Sequence, residues 1–325
     1  MFMNKERRKF IAEIAAIAGV AAIDGFGLLR NSSALQANTQ QKTAEQSQNI
    51  KDYPHITDVI FSKNVETYFP LVVSACADPK DNYLAEIPFL IELEVCKIWK
   101  ESLFEWDAIS TVGAGGLQQL MDFTAKGDLG ISITPSPEIA ELNTSVAEYT
   151  KSQKGISSKR QSLYTLVESG SGDLTKATIT KINAIRSEMA SLEIKKDDAL
   201  KKLKSAKNIY ANKIKSINRD ELNKFDGRFV PELSIPAGTK YLADIILECK
   251  AYFGGPIEMN VWRGVAAYNC GLGMTKEWNG MPFIRETVLY TRDILYNLTR
   301  MLELKYAYST GDNDVIAKTK QKMGV

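Results

Sequence analysis

The side chains able to do chemistry are few in kind in this sequence. There is one histidine, His55, in a polar segment soon after the N-terminus. A zinc protease of the HExxH kind needs two histidines on one helix face, so that class is excluded. A Ser–His–Asp hydrolase would have to use His55 as its base, and the polar setting suits a surface histidine instead. The four cysteines, Cys76, Cys96, Cys249 and Cys270, form no CxxC pair, which removes the common zinc and redox motifs. They leave two readings open, disulfides in an exported protein or small buried residues. No metal and no cofactor is expected. Carboxylate chemistry remains. Glu101 lies in the stretch Val95 to Phe104, among Ile98, Trp99, Leu103 and Phe104. Taken alone it reads as a helix-surface carboxylate, although apolar company desolvates a carboxyl and raises its pKa. Glu105 and Asp107 follow closely and read as solvated carboxylates, and Glu286 reads as structural.

Three other segments carry polar groups in unusual density. Val112 to Met121 holds Gly113, Gly115, Gly116, Gln118 and Gln119. It is no phosphate loop, because no Lys-Ser/Thr follows and no strand precedes it. Ala266 to Gly273 contains Tyr268 and Asn269, and Met281 to Tyr290 contains Glu286 and Thr287.

Helices must position these groups. Val59, Val65, Phe69, Val72 and Val73 have helical spacing, and Pro88 can open a second helix running to Ser102. No alternating strand pattern is evident, so the fold is expected to be mainly α. Residues 138–222 differ in character, with no proline or tryptophan and much Lys, Glu, Ala, Ser and Ile. There, Ile182, Ile185, Met189, Leu192, Ala199, Leu203, Ala206, Tyr210 and Ile217 follow a 3-then-4 spacing, with Lys196 and Lys213 in the polar slots. That is a heptad seam. An earlier helix over 138–168 and a turn over Ser169 to Asp173, with Asp173 as N-cap, complete an antiparallel hairpin. Helices of this size span roughly 45–70 Å at about 1.5 Å per residue. Such an arm can reach a protein partner. Its lysines (Lys195, Lys196, Lys201, Lys202, Lys204, Lys207) read as a solvated face.

The chain has 325 residues, 41 basic against 39 acidic, and a formal charge of +2. That balance lacks the basic excess of a nucleic-acid binder. Near the N-terminus, Arg7 and Arg8 are followed by Lys9, Phe10 and Ile11, then by a mostly apolar run to Leu29 broken by Glu13 and Asp24. The pattern resembles a twin-arginine export signal more than a membrane span, with an inner-membrane anchor and an ordinary amphipathic helix of a cytoplasmic protein as the alternatives. Residues 35–52 then read as a flexible tether.

In order, the four segments resemble the soluble lytic transglycosylases, a family that shares the goose-type lysozyme fold (glycoside hydrolase family 23). The family pattern is Glu-Ser-x-Phe, Gly-Ala-x-Gly-Leu-x-Gln-Leu-Met, Ala-Tyr-Asn-x-Gly, and Pro-Phe-x-Glu-Thr-x-x-Tyr. Here these are Glu101 to Phe104, Gly113 to Met121, Ala267 to Gly271, and Pro282 to Tyr290, the last with one residue more than the pattern between Phe283 and Glu286. Ser234 to Leu242 also resembles the family's Asn-Ile-x-x-Gly-x-x-Tyr-Leu helix. The likeness covers about residues 86–134 and 225–300. Asp122 stands where relatives have proline, Gln118 where methionine is frequent, and Ser234 where asparagine is common.

The resemblance implies a lysozyme-like domain over 53–135 and 225–310, interrupted by a helical hairpin at 136–224. Residues 1–34 form an export signal or anchor and 311–325 a tail. It also implies the reaction. Glu101 would protonate the oxygen between N-acetylmuramic acid and N-acetylglucosamine, then take the proton of the sugar's own C6 hydroxyl. That hydroxyl closes a 1,6-anhydro ring. Tyr268 would assist Glu101, and Gln119, Met121, Ser102 and Asn269 would contact peptidoglycan glycan strands in the periplasm or cell envelope. The alternative on the same fold is a catalytically idle peptidoglycan-binding part of an envelope-spanning machine, with the hairpin as its interaction arm. An intact Glu101 and Tyr268 argue against it.

Overall fold

The computed structural model describes residues 49–323 except 61, 79 and 169–174. The export signal or anchor and nearly all of the tether lie outside the described residues, as does the turn expected over 169–173. The longer helices are α1 (Lys63–Cys76), α2 (Leu90–Ser102), α3 (Pro137–Glu168), α4 (Lys176–Ser216), α5 (Arg219–Phe225), α6 (Pro231–Phe253), α7 (Ile257–Cys270), α8 (Leu272–Glu277), α9 (Arg285–Thr310) and α10 (Asn313–Met323). Among the described residues no strand forms, and the extended pairing is limited to isolated bridges such as Ile133 with Asp226. The expected mainly α fold with a long helical hairpin is what the chain adopts. No helix among the described residues is long and apolar enough to cross a membrane.

The described residues form two compact units, one of those up to 106 with those from 231 onward, the other of those within 107–230. The glycine-rich segment therefore groups with the hairpin. In the first unit, α2 is the central helix. Leu90, Leu93, Val95, Cys96 and Ile98 are fully buried, and Glu92, Glu94 and Lys97 are buried with them. A helix enclosed on every side has no polar face, so its charged groups need partners inside the protein. α1, α6, α7 and α9 surround this core. The crossing of α7 on α6 is close: a Cβ at Gly264 would lie 2.3 Å from Ile246 Cγ1.

One expectation for this unit changes, and one open alternative is decided. His55 is buried instead of lying at the surface. Its Nε2 lies 3.1 Å from Glu92 Oε1, and Lys305 Nζ donates to the same oxygen at 2.7 Å. Burial opposes ionisation of Glu92, but Lys305 and His55 outweigh it and hold the carboxyl well below its ordinary range. The polar setting of His55 in sequence thus conceals an ion cluster in space. The cysteines are free thiols, with Cys76, Cys96 and Cys249 buried and Cys270 half-buried.

In the second unit α3 and α4 pair as the hairpin. Its seam is fully buried near the base, at Ala199, Leu203, Ala206, Tyr210 and Ile214 on α4 and Ile139 and Leu142 on α3. Further out, Ile182, Ile185, Met189 and Leu192 are only half-buried. The seam shifts at one point: Ile214 is buried beside the slot given to Lys213, and Ile217 caps the end of the helix. The start of α4 also differs, because Thr175 caps it instead of Asp173, accepting from Thr178 N at 3.2 Å. Several arm lysines are ion-paired: Lys202 with Glu148 at 3.0 Å, Lys201 with Asp198 at 3.3 Å, and Lys196 with Glu193.

Candidate active site

Glu101 occupies the last turn of α2, where the helix must stop without losing hold of its end. Leu103 caps it, with its N–H bonded to Trp99 O at 3.0 Å. Leu103 and Phe104 both have left-handed backbones, φ 54° and 63°. Each such non-glycine residue costs on the order of 1–3 kcal/mol unless its surroundings enforce it. The enforcement is visible. The Phe104 ring is fully buried. Ser62 Oγ donates to Leu103 O at 3.4 Å, and Asn64 Nδ2 donates to Phe104 O at 3.3 Å. The N-terminus of α1 thereby fixes the chain just past Glu101.

The carboxyl itself is met by Tyr290 from α9, whose hydroxyl donates to Glu101 Oε1 at 2.6 Å. Burial raises the Glu101 pKa to about 7, against the opposing pulls of the Tyr290 hydrogen bond, Lys97 and Lys100. Glu101 keeps some solvent access. It is therefore a carboxyl able to hold and release a proton near neutrality. Burial and the nearby Glu101 push both Tyr268 and Tyr290 well up, so both keep their phenolic protons.

Tyr268 stands in the last turn of α7, its ring edge-on to Tyr241 at 5.6 Å between centroids. Lys97 Nζ lies 4.4 Å from the centre of the same ring. Next along, Asn269 is exposed and its Oδ1 accepts from Thr287 Oγ1 at 2.8 Å, joining the end of α7 to the start of α9. Ser102 is buried with its hydroxyl donated back to Ile98 O at 3.2 Å. Glu105 is exposed. Glu286, expected as a structural buttress, is exposed on the first turn of α9.

Gln119 and Met121 belong to the other unit. Gln119 has a left-handed backbone, φ 47°, and its Nε2 donates to Ala108 O at 3.0 Å and Gly116 O at 2.9 Å. Its amide nitrogen thus braces its own loop, and Met121 beside it is half-exposed. Asp107, read as solvated, is paired with Lys215 at 2.5 Å. Arg228 holds the loop from below, donating to Gly113 O at 3.0 Å and Leu120 O at 3.2 Å. Its guanidinium also grips Asp226, which in turn accepts from Tyr210 on α4 at 2.5 Å. Gly116 is required here: its φ is +75°, and a Cβ would stand 2.0 Å from Arg228 O.

Sequence reasoning did not single out Tyr290, Lys97, Glu94, Asp226 or Arg228. Tyr290 had a signal, as the last residue of the Met281 to Tyr290 segment. The others had none, since charged residues in helical segments usually face solvent.

Residues 208–291 match the family model of the transglycosylase SLT domain. That stretch is similar to a transglycosylase SLT domain. The matched stretch contains Tyr268, Asn269, Thr287 and Tyr290, while Glu101, Ser102, Gln119 and Met121 precede it. No curated protein and no solved structure is detectably similar to the chain. The SLT domain is a lysozyme-like helical domain, which agrees with the all-helical first unit. It supports transglycosylase activity on peptidoglycan, and with it a place of action in the cell envelope.

Proposed function

We propose that this chain is a lytic transglycosylase that cleaves the bond between N-acetylmuramic acid and N-acetylglucosamine, with Glu101 as its single acid and base. The observation that carries this reading is the half-buried Glu101 carboxyl, held at a pKa of about 7 and bonded to Tyr290. At neutral pH a large fraction is protonated and can protonate the leaving oxygen. The resulting carboxylate then accepts the proton of the C6 hydroxyl as that oxygen attacks the anomeric carbon. The C1–O bond to the leaving sugar breaks, a C1–O6 bond forms, and the product ends in a 1,6-anhydromuramoyl ring. Because the nucleophile belongs to the substrate, positioning takes the place of a catalytic water.

Tyr290 donates to Glu101 and steadies the ionised form between the two half-reactions. Tyr268 lends a second phenol beside it. Asn269, Ser102, Gln119 and Met121 are assigned to the substrate. Asn269, exposed at the end of α7, is the best presented of them. The lysozyme-like domain is assigned to 53–135 and 225–310, and the hairpin at 136–224 is an arm for a protein partner. Its outer half supports that role by leaving Tyr164, Val167, Ile179 and Ile194 largely exposed. Export through the N-terminal segment, or anchoring by it, would bring the enzyme to its wall substrate.

Digestion of purified peptidoglycan with analysis of the fragments by mass spectrometry tests the reading. Anhydro-muropeptides are expected. Reducing ends without anhydro rings would make the protein a lysozyme-type hydrolase, and intact peptidoglycan with a folded protein would leave only a binding role.

A further inference from the structure

One turn before Glu101 on α2, a charged pair is sealed in the core of the first unit. Lys97 and Glu94 are both 0% exposed, and their Nζ–Oε2 distance is 3.0 Å. An ammonium has three donors and no acceptor. At Lys97 they meet Glu94, the Gly238 carbonyl of α6 at 3.2 Å, and the face of the Tyr268 ring of α7 at 4.4 Å. Replacing a buried ion pair by apolar residues of similar size is often neutral or stabilising. Stability alone therefore gives no reason for charges here.

We infer that the Glu94–Lys97 pair positions and tunes the acid/base: Lys97 holds the Tyr268 ring by its face and sets a fixed positive charge beneath the Glu101 carboxyl. This rests on reading Glu101 as the catalytic group. The spacing 94, 97, 101 keeps the three residues on one helix face. Neither Lys97 nor Glu94 touches substrate; they act through Tyr268 and Glu101. The charged and titratable groups facing Glu101 are Lys97, Lys100 and Glu94 from its own helix and the neutral phenols of Tyr290 from α9 and Tyr268 from α7. Lys97 pulls the carboxyl down and Glu94 pushes it up, with Lys97 the stronger of the two. Burial draws the ammonium below its ordinary value, and Glu94 opposes this.

The experiment is the pH profile of anhydro-muropeptide release by Lys97→Gln. Glutamine keeps N–H donors for Glu94 and Gly238 but carries no charge. The rate falls as pH rises through the Glu101 pKa, because the acid must hold its proton. Losing Lys97 raises that pKa whether Glu94 stays ionised or takes a proton. The alkaline limb is therefore expected to move up by roughly 0.5–1 pH unit, with a lower plateau because the Tyr268 ring has lost its cation. The double variant Glu94→Leu/Lys97→Met covers a folding failure, and its limb also moves up. A limb that stays in place in both variants, at any plateau, overturns the inference and leaves the pair a structural one. Glu101→Gln run alongside separates the two levels of the argument: full activity in that variant sinks the catalytic reading itself.

Discussion

Glu101→Gln should abolish turnover and also stabilise the protein, but only at higher pH. Burial lifts the carboxyl from its ordinary 4.5 to about 7. A carboxyl with a raised pKa binds its proton more tightly in the folded state. Its contribution is fully present below the unfolded value of 4.5 and is lost as pH rises through the folded value of about 7. At 1.36 kcal/mol per pKa unit, the whole loss is about 3 kcal/mol. Glutamine has no proton to lose, and its carbonyl can accept from Tyr290 as the carboxyl does. At about 2–4 °C per kcal/mol for a domain of this size, the variant should melt roughly 5–10 °C above the native protein at pH 8. The two should nearly coincide at pH 4.5. Thermal melts across that window, paired with peptidoglycan digests, make the measurement. A melting difference that does not change with pH would show that the carboxyl is not held protonated by burial, and the single-residue acid mechanism would lose its basis.

Tyr290→Phe removes a charge-assisted hydrogen bond worth about 1.5–3 kcal/mol, so turnover should fall roughly 10- to 100-fold and the alkaline limb should move up; an unmoved limb would count against the bond. Gly116→Ala drives a Cβ into Arg228 O in a left-handed backbone, and a loss of about 2–4 kcal/mol in the second unit is expected from urea unfolding. The hairpin can be shortened safely at only one register. Lys202 pairs with Glu148, and Gly155 faces Leu192, so a short glycine-containing turn between residue 151 and residue 198 closes the arm without shearing the seam. That protein should fold and digest peptidoglycan normally. Removal of 138–222 deletes Tyr210, strips Asp226 of its phenol partner, and should unfold the second unit on limited proteolysis.

The helices were legible because each leaves a local mark. The 3-then-4 spacing of Ala199, Leu203, Ala206 and Tyr210 foretold the buried half of the seam. It did not foretell that Ile182 to Leu192 would stay half-open, because burial there depends on what α3 supplies, and α3 supplies Gly155 opposite Leu192. Glu101 was legible only through the family resemblance of its Glu-Ser-x-Phe segment. The bond to it from Tyr290 was not, since it spans 189 residues. His55 failed for the same reason: its partner Glu92 lies on a helix whose enclosure no local pattern reveals. Cap residues erred by a short slide, with Thr175 in place of Asp173, because both types cap a helix equally well by residue chemistry.

The contrast between Glu92 and Glu101 explains why only one of them can serve as an acid. Both sit on α2, and desolvation is the largest influence on each. Glu92 meets the Lys305 ammonium and the His55 ring, which converge on a single oxygen at 2.7 and 3.1 Å and favour its ionised form. Glu101 also has cations within reach, but each is already engaged: Lys97 with Glu94, and Lys100 with Asp293 at 2.7 Å. Shared with those acids, their pull on Glu101 is real but smaller than the effect of burial, so the proton stays on. Asp293→Asn would release Lys100 toward Glu101 and should draw the carboxyl down. The alkaline limb of turnover should then move to lower pH, opposite in sign to the Lys97→Gln and Tyr290→Phe shifts. Shifts of one sign in all three variants would mean that packing, not charge, governs the carboxyl.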